Sequence, residues 1–389
     1  MRTLYIISKG MDKKPNEVIR RLEAENMIPR VSLLEDAISA EVLDERYLTE
    51  KPPYYRRFIY GFIPASLAQL FEALFIMNRY DVILSHTEKV SFPLALTLKW
   101  IRSSKPHIVV LSRITSVDSK RSRKKIWFFK RTRNSVTRFL IWSSVQRKIA
   151  IEQFGVSPDK IILLKRGTDQ QFWSPREAET DMICSAGMEA RDYLTLVDAL
   201  RHLEIPCHIA AGASRGDIFS TVEKLHQIND IPNWVTVESI TQRQLRSIYA
   251  RSQFTVVPLI PSDSDNGLTT ILESMAMGKP VICSRTEGQV DIIEDGVTGI
   301  YVPQGDPEAL REAIEVLWND PERCEKMGEA AREFIEKNHN MEQFVDAIKK
   351  EVFDASGLKN TVIQTSLSSV KPANTAMKQE PVHVDSEKY

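Results

Sequence analysis

PLIPSDSDNGLTTILESMAMGKPVICS, residues Pro258 to Ser284, carries the clearest alternation of strand and helix in the chain. An apolar run from Phe254 ends at Leu259 and gives way to a polar turn that closes on Gly267. Apolar residues then recur at helical spacing from Leu268 to Met277, until Gly278 and Pro280 stop the helix. Val281 to Ser284 reads as a second buried strand. Strand, helix and strand in so short a span form a βαβ unit, which joins parallel strands through a crossover helix.

The same alternation extends in both directions. Before the unit, strands are expected at Met182–Ala186, His208–Ala211 and Trp234–Val237, and after it at Ile300–Val302. Helices are expected at Tyr193–Leu203, Gln242–Ala250 and Asp306–Trp318, then Pro321–Lys337 and Met341–Phe353. The first half repeats the pattern, with strands at Leu4–Ser8, Asp81–Ser85, Ile108–Ser112, Phe139–Trp142 and Ile161–Leu164. Its helical segments include Asn16–Met27, Ala65–Met77 and Val145–Phe154. The turn-rich segment Gly167 to Pro175 separates the halves. The expected fold class is therefore α/β, with two tandem Rossmann-like domains, 1–170 and 171–338, facing a central cleft. Ligands bind at the carboxyl ends of such sheets. Residues 356–389 lack periodicity and read as a disordered tail.

The chain's 389 residues carry 52 Lys+Arg and 52 Asp+Glu, and this neutral sum hides a partition. Residues 1–170 hold 31 basic against 17 acidic side chains, and residues 171–389 hold 21 against 35. A basic half suits an anionic partner, either a membrane surface or a nucleic acid. The densest part is Lys120–Arg138, with nine Lys/Arg, no acid and an embedded Ile126-Trp127-Phe128-Phe129. Lys124, Lys125, Lys130 and Arg131 beside Trp127 and Phe128 suit an anionic bilayer. The same mix would suit RNA, and the plain alternative is a solvated loop whose aromatics pack inward. No nucleic-acid module accompanies it, so no nucleic-acid partner is expected. Four scattered cysteines without C-x-x-C spacing read as core residues of a reducing compartment. The N-terminus turns polar by Lys9, which points to a cytoplasmic protein without a signal peptide. Phe58–Met77 approaches the length of a membrane span, but Pro64, Gln69 and Glu72 favour a packed helix.

Within Pro258–Ser284, the backbone N–H groups of Gly267, Leu268 and Thr269 open a helix, and the helix dipole makes this a phosphate site. Glu273, one and a half turns in, is no phosphate ligand; its natural partner is a diol. Asp263-Ser264-Asp265 spells a D-x-D triplet, a pattern common by chance, and no metal is expected. Asp265 reads equally as an Asx cap of the helix.

The stretch resembles the nucleotide-sugar signature of GT-B glycosyltransferases, particularly the retaining family 4. The motif Glu273-Ser-Met-Ala-Met-Gly-Lys-Pro-Val-Ile282 is followed by Asp295-Gly-Val-Thr-Gly299 and by P-x-x-L-x-x-A-I at Pro307–Ile314. Phe154–Pro175 is similar to the family's crossover, and Ile183–Leu200 to its first C-domain strand and helix. The resemblance implies an enzyme, a hexosyltransferase that needs no cofactor and moves a sugar from a nucleotide diphosphate sugar. It implies that Glu273 holds ribose hydroxyls, Asp265 the sugar hydroxyls, and Arg191 the diphosphate. His86, Gly10 and Ile240 match further site positions. A helix at 339–355 is expected to cross back to the first domain. The acceptor is a lipid-linked sugar, a polysaccharide or a small molecule, and a location at the inner face of the plasma membrane follows from the basic patch.

Three departures stand out. Asp265 replaces the first Glu of E-x7-E, Met188 replaces a second phosphate-binding Arg, and Ser112-Arg113 stand where a strand-end His is common. Each assigned residue also has a plainer role: Arg191 as a surface partner of Asp192 or Glu189, His86 as a structural histidine, Gly10 as an ordinary turn. The alternatives are an epimerase or phosphorylase of the same fold, or a non-catalytic nucleotide-sugar-binding membrane-associated protein.

Overall fold

Short apolar runs such as Val82-Ile-Leu-Ser85 and Val281-Ile-Cys-Ser284 are buried along their whole length, as strands covered on both faces must be. In the computed structural model, which describes residues 1–8, 14–111, 114, 126–127, 129–211, 225 and 231–357, such runs form two sheets. β1 (Thr3–Ile6), β2 (Ala40–Leu43), β3 (Val82–Ser85), β4 (His107–Val110), β5 (Arg138–Ile141) and β6 (Ile161–Leu163) lie in the order β2-β1-β3-β4-β5-β6. β7 (Met182–Ala186), β8 (Cys207–Ala210), β9 (Val235–Glu238), β10 (Ser252–Val257), β11 (Val281–Ser284) and β12 (Gly299–Val302) lie in the order β12-β11-β10-β7-β8-β9. Every neighbouring pair in both sheets is parallel.

The described helices of the first half are α1 (Asn16–Ala24), α2 (Leu33–Ala37), α3 (Glu45–Glu50), α4 (Tyr54–Tyr60), α5 (Ala65–Ile76), α6 (Glu88–Trp100) and α7 (Ser144–Glu152). Those of the second are α8 (Tyr193–Leu200), α9 (Gln242–Arg251), α10 (Leu268–Ala276), α11 (Pro307–Trp318), α12 (Pro321–Asn338) and α13 (Met341–Ser356). Each sheet reverses its winding once, between β1 and β3 and between β7 and β10. Such reversals open a crevice at the carboxyl ends of the strands, and they fix where a ligand can sit.

The segment read as a linker is a packed joint. Phe172 and Trp173 are buried; the Trp173 ring lies 4.7 Å from Phe172 and 5.6 Å from Tyr249 on α9. One apolar cluster runs from Tyr5, Leu84 and Leu140 of the first sheet, through these residues, to Val257 of β10 and Ile271 of α10. Arg30 adds polar bonds, donating to Asp169 from Nη2 at 2.6 Å and to Glu342 of α13 from Nη1 at 2.8 Å. α13 itself lies on α2, β3 and β4, with Phe344 5.7 Å from the Trp142 ring. Truncating Trp173 to alanine empties a fully buried site, so the variant is expected to lose about 3–5 kcal/mol in chemical denaturation.

One expectation needs correction. Phe58–Met77 is not one packed helix: Gly61 closes α4, Pro64 opens α5, and one side of both stays exposed. Among the described residues no helix is long and apolar enough to cross a membrane. The cysteines are free and buried. The tail from 358 onward, Gly10, Ser112, Arg113, Lys124, Lys125 and Phe128 lie outside the described residues.

Candidate active site

The second reversal point is built on glycine. Gly267 enters α10 with φ of 85°, and a Cβ there would come within 2.9 Å of Val257. The chain can therefore turn sharply off β10, and α10 starts against the strand end. Leu268 N–H donates to the Asp265 carbonyl at 3.3 Å, so Asp265 closes the turn through its backbone. Gly267, at the N-cap position itself, has no side chain to cap the helix.

Arg191 follows β7 and folds back over Gly187, whose φ of 116° and missing Cβ leave room for the guanidinium. Its Nε donates to Ala186 O, Nη1 to Glu189 O and Nη2 to the Thr270 hydroxyl, each at 2.9 Å. The loops after β7 and β10 are also joined by Asp192 N to Pro258 O at 3.0 Å and Ile260 N to Ala190 O at 3.2 Å. A fixed cation thus stands at the first turn of α10, where the helix dipole already favours an anion.

Glu273 sits one turn further along α10, within 3.4 Å of the Tyr249 hydroxyl, which donates to Oε2. Burial raises its carboxyl to about 8, against the opposing pull of Tyr249, Arg166 and Arg191. Ile240 follows β9 and packs on the edge of the central cluster, while Met188 is exposed.

The first reversal point faces it with Tyr5 on β1 and His86 just after β3, the Tyr5 hydroxyl 3.1 Å from His86 Nδ1. Burial, with the charge of Arg166, lowers His86 to about 4, so the imidazole is neutral near pH 7. Arg166, one residue before Gly167, lies 5.9 Å from the Trp142 ring centre. Burial works against its charge, while Asp265, Glu273 and Tyr5 support it. A guanidinium does not give up its proton in a protein, so Arg166 is a fixed cation between acids of the second sheet and the aromatics of the first.

Hydrogen bonds cross between the two sets of loops. Gln146 Nε2 donates to Asp265 Oδ1 at 2.8 Å, and Ser144 donates to Asp291 from its backbone N at 2.8 Å and its hydroxyl at 2.7 Å. Beside them Trp142 Nε1, the Ser143 hydroxyl and Gln146 Oε1 are buried polar atoms without a partner among the described residues. Buried orphan groups of this kind cost free energy unless a ligand or water meets them.

Sequence reading named Asp265, Glu273, Arg191, His86 and the Gly267–Thr269 turn as candidates, and the fold gathers them at the two reversal points. It missed Arg166, Tyr5, Gln146 and Tyr249. Arg166 carried a usable signal, since it stands at a strand end immediately before the glycine of the crossover.

Two parallel sheets with a charged cleft at paired reversal points define a GT-B type fold, and comparison bears this out. Anabaena HepE, solved in complex with UDP, superposes with a TM-score of 0.65 at 17% identity, covering 92% of this chain and 100% of that one. A sucrose-phosphate synthase from Thermosynechococcus elongatus gives a TM-score of 0.69 at 17% identity, covering 91% and 99%. Residues 18–172 match the family described as Glycosyltransferase Family 4, and residues 195–334 match Glycosyl transferases group 1. The chain belongs to this glycosyltransferase family. An uncharacterised glycosyltransferase of Methanocaldococcus jannaschii is 23% identical over 63% of this chain and 67% of its own length. The α-maltose-1-phosphate synthase of Mycolicibacterium smegmatis is 26% identical over 46% of this chain, which spans about half, 52%, of that relative.

Proposed function

We propose that the protein transfers a hexosyl group from a nucleoside diphosphate sugar to an acceptor held by the first half, with retention at the anomeric carbon. The observation that carries this reading is Arg191, pinned by three acceptors against Thr270 at the start of α10. When the anomeric C–O bond breaks, negative charge builds on the departing diphosphate, and preorganised positive groups there lower the barrier. Arg191, the α10 dipole and Arg166 supply that charge, which is the role a divalent cation would otherwise fill. Glu273 accepts from ribose hydroxyls, and Asp265 from the transferred sugar, with Gln146 fixing its carboxylate from across the cleft. In this reading His86, neutral and hydrogen-bonded to Tyr5, contacts the sugar or acceptor and does not act as a cation.

The test is incubation of the purified chain with a panel of nucleotide sugars and sugar or lipid-linked acceptors, with products resolved by mass spectrometry. Glycosylated acceptor plus free nucleoside diphosphate is expected. Donor turnover only to an epimer or a sugar phosphate, or donor binding without any turnover across the panel, would contradict the reading.

A further inference from the structure

The segment whose length suggested a membrane span has a different character once folded. α4 turns Tyr54, Tyr55, Phe58 and Ile59 outward, the connecting turn adds Phe62, and α5 adds Leu67, Phe71 and Phe75 along one stripe at i, i+4 and i+8. Phe62 is 76% exposed, Phe58 65% and Phe75 63%. A contiguous aromatic face of this kind is unusual on a soluble surface and marks an interaction site.

The charges of the face select its occupant. Between Lys51 and Arg79 the sole acid is Glu72, buried and neutralised by Arg56 at 3.3 Å, with the Tyr60 hydroxyl donating to it at 2.8 Å. Arg56 also lies 5.0 Å from the Phe75 ring centre, which ties α4 to α5. Lys51, Arg57 and Arg79 of this segment are exposed, and the exposed Glu50 just before it is paired with Arg46 at 2.6 Å, in the half that carries net positive charge. A second copy would bring like charges together, whereas an anionic bilayer offers apolar depth for the rings and phosphates for these cations. We infer that α4 and α5 form a membrane-docking face that seats the protein on an anionic lipid surface.

The face is also placed to matter for the site. Gln69 of α5 donates from Nε2 to Ile7 O and Leu43 O, both at 3.0 Å, which pins the helix to the carboxyl ends of β1 and β2. An acceptor anchored in the same bilayer would present its head group beside the first reversal point. The inference stands on the exposed face alone and does not depend on the proposed reaction. It differs from the expectation for Lys120–Arg138, where Phe129 is turned into the core and Trp127 is stacked with Arg131 at 4.0 Å.

The experiment is co-sedimentation of the full chain with vesicles of phosphatidylcholine alone or mixed with phosphatidylglycerol. Wild type is expected to bind the anionic vesicles at least about tenfold better than the neutral ones. Combining Phe58→Ser, Phe62→Ser and Phe71→Ser is expected to lower that binding about tenfold or more. Combining Trp127→Ser, Lys130→Ser and Arg131→Ser is expected to leave most of it. A Phe62→Cys variant carrying an environment-sensitive dye covers the case in which the triple variant misfolds, since the native cysteines are buried. Its emission should shift to the blue on anionic vesicles. Unchanged emission, undiminished binding by the Phe variant, or a solution dimer that the Phe variant splits would overturn the inference.

Discussion

Replacing Arg191 by alanine is expected to slow sugar transfer about 100- to 1000-fold, the range found when one preorganised donor to a developing negative charge is removed. The side chain bridges the end of β7 to the first turn of α10 through Ala186 O, Glu189 O and Thr270. Its loss removes both a charge and the brace that orients it, and the two effects separate with a second variant. Arg191→Lys keeps the charge but cannot reach all three acceptors in one plane, since an ammonium lacks the guanidinium's fork. Lysine should therefore recover part of the rate and little of the bracing. Steady-state kinetics on purified variants, read beside their melting temperatures, check this; a rate for Arg191→Ala within a few fold of wild type would remove the residue from the mechanism.

Glu273→Gln is expected to help folding and damage binding, with opposite consequences at one position. The folded carboxyl is raised to about 8 by burial, while in the unfolded chain it titrates near 4.5. The unfolded state thus releases its proton first, and wild-type stability falls as pH rises between about 5 and 8. Glutamine has no such titration, so its melting temperature should gain on wild type across that interval. Binding runs the other way: a carboxylate accepts two hydroxyls, and a protonated acid must first give up its proton. Wild-type affinity for the nucleotide should rise with pH below about 8, by no more than tenfold per pH unit, and the variant's should be weaker and flat. Melting curves and nucleotide titrations at several pH values check both halves, and a wild-type affinity independent of pH would place the carboxylate away from the diol.

These two residues were legible in the sequence because their settings are local. A strand end, a glycine turn and a helix start are contiguous from Val257 to Glu273, so helix geometry suggests an anion site there. The ribose role of Glu273 and the diphosphate role of Arg191 are what the resemblance implies. Arg191 likewise follows a strand-end glycine. Tyr5 and Gln146 were not legible, because what brings them to the cleft is a partner far along the chain: His86 for Tyr5 and Asp265 for Gln146. β2 escaped for another reason. Ala40-Glu-Val-Leu43 is an edge strand, buried only at Leu43, and so carries neither a continuous apolar run nor a clean alternation. The aromatic side of α4 and α5 shows a third limit, since apolar periodicity announces a helix without stating which of its faces the core will cover.

Arg191 and the α10 N-terminus are expected to make the second reversal point a donor site. Calorimetric titration of wild type and Arg191→Ala with UDP, GDP and ADP tests it most directly. Saturable binding of one nucleotide to wild type is expected, with a loss of at least about tenfold in the variant. Equal affinity in both proteins, or no binding of any nucleoside diphosphate to wild type, would contradict it.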